Sequence, residues 1–156
     1  GDPDIDAVCR LEHKPMCFFD DKYFPISTNV YSPFNSQNTL FSREALKKYL
    51  VMPGIGRMDD IWSSYYLEAC GFKVVYTKAT VFQDRNVQDL TKNLKEEFIG
   101  YEKTLDLLNH FNYKQRDDTP FGVPKNTYSA DECYKKFLPD STIKVMESYL
   151  NITKNI

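Results

Sequence analysis

Long apolar runs are missing from this sequence of 156 residues. Its longest uninterrupted apolar stretch is a handful of residues, far short of the ~20 a membrane-spanning helix needs, so no membrane span is predicted. The opening Gly-Asp-Pro-Asp-Ile-Asp is acidic and has no apolar h-region, which is not the pattern of a signal peptide. The sequence starts inside what reads as structured chain, so a mature end or a piece of something longer is expected. A positive charge excess is missing too: 20 Lys and Arg face 22 Asp and Glu, and the pI is near 5.7. The cations are interspersed with acids, which argues against a nucleic-acid-binding face. Close cysteine pairs are also absent. Cys9, Cys17, Cys70 and Cys133 contain no C-x-x-C spacing, and only His13 and His110 could join them, so a zinc centre is not expected. Four thiols in a reducing compartment and one or two bridges in a secreted chain both stay open. The one glycosylation sequon, Asn151-Ile152-Thr153, matters only in the secretory pathway. No repeat or low-complexity segment is found.

What is present is apolar and aromatic. Hydrophobic residues make up 42%, with 11 Tyr and 11 Phe, enough to exclude a disordered chain and to build one domain. The rings suit a core and a ring-lined groove equally.

Residues 5–11 alternate for part of their length and predict a strand. Phe18 and Phe19 ahead of Asp20-Asp21-Lys22 read as a strand end and turn, and Pro25 and Pro33 bracket an extended segment, 26–31. Ser42 is an N-cap signal for a helix over 43–50, with Leu46 and Leu50 on one face. Pro53, Gly54 and Gly56 make a loop. A helix over 60–70 follows, carrying Ile61, Tyr65 and Ala69 on the face expected to meet the sheet, and Gly71 stops it. Residues 72–82 hold the most strand-like run and are expected to be buried. Leu90, Leu94, Phe98, Tyr101, Leu105 and Leu108 form one apolar stripe of a helix over 87–109. It is expected to pack on the sheet; a partner-helix role is the alternative. Residues 114–126 read as a loop, Ser129 to Glu132 as a capping box, and Pro139 opens a last helix through Ile143, Met146 and Leu150. The whole predicts one α/β domain, sheet-rich over 1–86 and helical over 87–156.

Several side chains have chemistry as well as a structural explanation. Asp59 and Asp60 open the helix that bears Trp62, Tyr65 and Tyr66. Carboxylates there suit sugar handling, since rings stack on sugar faces and acids take hydroxyl protons. Asp59 is the better helix cap of the two. Asn35, Gln37 and Asn38 each donate and accept, as sugar recognition requires, although such residues also satisfy turns. Asp4 and Asp6 form an Asp-x-Asp pair able to hold Mg²⁺ or Mn²⁺, or simply solvated strand-end carboxylates. Arg85 follows the strong strand and could neutralise a diphosphate or join a surface ion pair. His13 has no partner pattern, and His110 sits where the helix dipole favours it.

Three blocks carry a resemblance: Gly-Asp-Pro-Asp-Ile-Asp-Ala-Val-Cys-Arg-Leu at 1–11, Pro-Phe-Asn-Ser-Gln-Asn-Thr-Leu-Phe at 33–41 and Asp-Ile-Trp-Ser-Ser-Tyr-Tyr at 60–66. Together they resemble the C-terminal half of STELLO-type proteins, a family related to the GT-A nucleotide-sugar enzymes. The resemblance covers roughly residues 1–108. It implies a GT-A-like mixed sheet with packed helices, incomplete in this chain, and an upstream segment with the main nucleotide-binding strands. It further implies a nucleotide-sugar donor, a carbohydrate acceptor, Mn²⁺ or Mg²⁺, and the Golgi of the secretory pathway. Asp60 matches the Asp before the aromatic helix and takes the role of general base. Asn35, Gln37, Asn38, Asp59, Trp62 and Arg85 are the candidate substrate contacts.

The leading expectation is therefore a glycosyltransferase, or its acceptor-side portion. The alternative is a non-catalytic carbohydrate- or protein-binding module using the rings around Trp62 and Tyr65. A third is a metal-dependent hydrolase built on Asp4, Asp6 and Asp60.

Overall fold

A computed structural model of the chain describes residues 5–50, 52–84, 86–111 and 134–154. Among them lie five helices: α1 (Ala7–Glu12), α2 (Arg43–Lys48), α3 (Asp59–Ala69), α4 (Leu90–His110) and α5 (Asp140–Thr153). Two short strands, β1 (Ile26–Ser27) and β2 (Val75–Tyr76), pair antiparallel with Ile26 opposite Tyr76. The described chain is thus mixed α/β but mostly helical. The expected loop at 114–126 and the capping box at 129–132 lie outside the described residues.

Helix boundaries follow local chemistry. Ser42 Oγ accepts the Ala45 N–H at 3.1 Å and starts α2. Asp89 caps α4 through the Lys92 N–H at 3.0 Å. Gly71, at φ +93°, ends α3: its N–H donates to the Glu68 carbonyl and the Phe72 N–H to the Leu67 carbonyl. That is the paired bonding of a Schellman stop. Pro139 precedes α5, as expected.

Five sequence expectations need correction. Residues 5–11 are helical, not a strand: Asp6 accepts the Cys9 N–H at 3.0 Å, and this cap turns the chain into α1. Residues 72–82 are not a buried strand. Only Val75 and Tyr76 find a partner; Val75 is 55% exposed and Phe82 94%. Leu50 is fully buried, but beyond the end of α2, while Leu46 faces outward. On α3 the largest fully buried side chains are Trp62 and Tyr66, with Ile61, Tyr65 and Ala69 only half-buried. They meet a core of Leu50, Met52 and Ile55 from the preceding loop, Leu107 and Phe111 at the end of α4, and Leu138 and Met146. The helix therefore packs on helices rather than on a sheet.

The fifth correction concerns α4. The helix is where periodicity puts it, but Phe98, Tyr101 and Leu105 of the expected stripe are largely exposed. The buried positions are Glu97, Gly100 and Leu107. Glu97 explains the rotation: its carboxylate accepts the Ala7 N–H at 2.7 Å, the Arg57 Nε–H at 3.1 Å and the Tyr101 O–H at 3.1 Å. Three donors make the buried charge tolerable and dock α1 on α4. Gly56 and Gly100 supply the close approach beside it. A Cβ on Gly56 would strike the Glu96 carbonyl, and one on Gly100 would strike the Met58 side chain. Across the core, Thr153 Oγ1 donates to the Lys47 carbonyl at 2.9 Å and Tyr149 to the Leu46 carbonyl at 2.7 Å, joining α5 to α2.

Candidate functional site

The first turn of α3 holds Asp59 and Asp60. Met58, not Asp59, occupies the N-cap position, and no side chain caps it. Asp59 Oδ1 instead accepts the Asp60 N–H at 2.8 Å. Asp60 Oδ2 accepts the Ser36 N–H at 3.0 Å and the Ser36 hydroxyl at 3.5 Å. Asp60 Oδ1 takes no hydrogen bond from the described residues. The positive end of the helix dipole adds to this, since orphan N–H groups favour negative charge at an N-terminus. The carboxylate thus pins the polar turn 35–39 against α3.

That turn is braced from within and across. Asn35 Oδ1 accepts the Gln37 N–H at 3.3 Å, the closure expected of a turn asparagine. Asn38 Nδ2 donates to Thr80 Oγ1 at 2.9 Å, and Gln83 Nε2 to Gln37 Oε1 at 2.9 Å. Phe34, Phe41 and Tyr49 form a three-ring cluster, with Phe41 at centroid distances of 5.5 Å from Phe34 and 4.7 Å from Tyr49, and Phe34 6.3 Å from Tyr49. Burial, then the neighbouring Asp60 charge, raise the Tyr49 hydroxyl above its ordinary value.

Between this braced segment and residues 67–80 runs a groove of about 850 Å³. Phe34, Asn35, Asn38, Phe41, Phe72 and Tyr76 contribute to its lining. Its one acid is Glu68, a residue sequence reasoning missed. Glu68 is half-buried, and desolvation pushes its carboxyl up to about 7. Both of its oxygens accept the Ser32 N–H, each at 3.1 Å. The signal available beforehand was a lone acid in the apolar second half of α3, two turns beyond Asp60.

The other expected residues fall elsewhere. Trp62 is fully buried and its indole N–H donates to Thr104 Oγ1 at 3.0 Å, so neither ring face is open to a ligand. Trp62 is thus a core ring, while Phe34 and Phe41 are among the rings that line the groove. Arg85 and Asp4 lie outside the described residues. Asp6 is the cap of α1, where Oδ1 accepts the Cys9 N–H and, at 3.1 Å, the Tyr101 O–H. The Cys9 bond holds the Asp6 carboxyl below the usual carboxylate range. Asp6 and Asp60 share no partner, and no three metal-ligating side chains converge among the described residues. Cys9, Cys17 and Cys70 are half-buried thiols, and no described helix is long and apolar enough to cross a membrane. No protein-family model, curated protein or solved structure matches this chain.

Proposed function

We propose that this chain is the acceptor-side portion of a nucleotide-sugar glycosyltransferase, with Asp60, which lies outside the groove lining but is tied to its bordering turn through Ser36, as general base. The observation that carries the reading is the asymmetry of Asp60: Ser36 fixes one oxygen and the other takes no hydrogen bond from the described residues. A positioned base needs both conditions, a locked rotamer and an oxygen left for the substrate hydroxyl. In transfer, the acceptor oxygen bonds the anomeric carbon as its proton passes to Asp60. The bond from that carbon to the diphosphate oxygen breaks, and its electron pair leaves with the diphosphate. Phe34, Phe41 and Tyr76 offer apolar faces to a pyranose. The GT-A assignment, with its donor and divalent metal, rests on the three sequence blocks at 1–11, 33–41 and 60–66.

A second reading, a carbohydrate-binding module without transfer, is favoured by one observation. Gln37 and Asn38 already spend side-chain bonds on Gln83 and Thr80, as wall-building residues do. Saturation-transfer NMR with neutral oligosaccharides tests what the two readings share. Saturation transfer to a bound saccharide is expected, and silence across the panel overturns both. A transfer assay on the full-length protein separates them.

A further inference from the structure

Helix α4 carries two stripes of heptad spacing, and its own fold uses one. Glu97, Gly100 and Leu107 turn inward, and Phe111 continues that line just past the helix. The second stripe is Leu94, Phe98, Tyr101, Leu105 and Leu108, at intervals of 4, 3, 4 and 3 residues. In its middle Phe98, Tyr101 and Leu105 are 55%, 49% and 75% exposed. Alternating intervals of 3 and 4 are the spacing with which one helix packs its side chains between those of another. The Tyr101 hydroxyl is tied to Asp6 and Glu97, which fixes the ring without covering it. So short a seam would not hold free helices together. Here α4 is already formed and docked through Glu97 and Gly100, so pairing has no helix to nucleate.

We propose that this exposed seam is a homodimer interface, covered by α4 of a second copy of the chain in antiparallel register. The flanking charges select that partner. Lys95 and Glu102 follow Leu94 and Tyr101 in the sequence, and neither forms an ion pair among the described residues. When two α4 helices pair antiparallel about a twofold axis, Phe98 meets Tyr101 of the second copy and Leu94 meets Leu105 of the second copy. The same register sets Lys95 of each copy beside Glu102 of the other, so the axis makes both ion pairs at once. Parallel pairing sets Glu102 beside Glu97 of the second copy, like against like. No residue of the seam lines the groove, so the dimer and the carbohydrate reading stand or fall separately.

The test is sedimentation of the chain over a wide range of concentration, where a rise from 18.3 kDa to twice that mass is expected. Leu105 faces water, so Leu105→Lys keeps the fold, as circular dichroism can verify, and removes the dimer by placing a charge in the seam. Lys95→Glu and Glu102→Lys each turn both ion pairs into repulsions, and each is expected to weaken the dimer about tenfold. Both substitutions in one chain restore opposite charges across the axis and return the dimer to wild-type affinity. Parallel pairing gives no such rescue. A chain that is monomeric at every concentration, a dimer indifferent to Leu105→Lys, or a double swap no tighter than either single one overturns the proposal.

Discussion

The Ser36 N–H donates to Asp60 Oδ2 at 3.0 Å, across 24 residues of sequence. One contact thereby sets the rotamer of the proposed base and the position of the turn that borders the groove.

Replacing Asp60 by Asn tests the base. Asn Oδ1 still accepts the Ser36 N–H, so the fold and the turn are kept, but an amide removes no proton. In the full-length protein, Asp60→Asn is expected to lower sugar transfer by about 10²–10⁴-fold. Asp59→Asn should change it little, because Asp59 bonds only the adjacent backbone N–H. Equal losses in the two variants would move the base elsewhere.

Stability should fall as pH rises through neutrality, and Glu68 is the cause. Its carboxyl titrates near 4.5 in the unfolded chain and at about 7 in the folded one. Between those values the folded state binds more protons, so its stabilisation is complete below the lower value and lost through the upper. Water reaches much of the group, so the loss is about 2 kcal/mol at most. Urea midpoints on either side of neutrality measure it, and Glu68→Gln should flatten that dependence.

Gly56→Ala and Gly100→Ala should differ. The first puts a Cβ against the Glu96 carbonyl at φ +62°, and backbone cannot step aside. The second meets the Met58 thioether, a flexible side chain. Losses of about 2–3 kcal/mol for Gly56→Ala and about 1 kcal/mol for Gly100→Ala are expected in chemical denaturation. The reverse order would mean that α4 sits less tightly on the 56–58 turn than described.

Removing the Glu97 carboxylate leaves the Ala7 N–H and the Arg57 guanidinium without their acceptor. Glu97→Ala is expected to cost about 2–4 kcal/mol in thermal unfolding. Near-wild-type stability would show that the contact between α1 and α4 does not depend on this hub.

Glu97 also marks where sequence reasoning reached its end. Periodicity located α4, and local chemistry located its neighbours, because Ser42, Gly71 and Pro139 act on backbone within a few residues. Choosing the buried face of α4 required knowing that Ala7 and Arg57 would arrive at a glutamate, which no window of sequence contains. Residues 5–11 differ for a related reason: their partial alternation resembles a strand, but in the fold the Asp6 side chain takes the Cys9 N–H and caps a helix. The site followed the same division. Asp60 at a helix start and the polar turn at 35–39 were legible separately, but their union through Ser36 was not. Trp62 was misplaced because a ring beside an acid reads the same in a core and in a groove. Glu68 was overlooked because its perturbation comes from burial, which tertiary packing creates.

The ties across the groove have a dynamic consequence. Asn38 to Thr80, Gln37 to Gln83 and the Ile26–Tyr76 ladder each join segments more than 40 residues apart, and the side-chain ties are exposed. Helices α2 and α3, with the core residues between them, lie inside the loop that the Asn38–Thr80 and Gln37–Gln83 ties close. The wall can therefore part while α3, α4 and α5 stay packed, as a unit of low local stability. Amide hydrogen exchange at Ser36 and Gln37 should proceed through this partial opening, well before exchange in α3. A saccharide filling the groove would slow those two amides first and leave the helical interior unchanged.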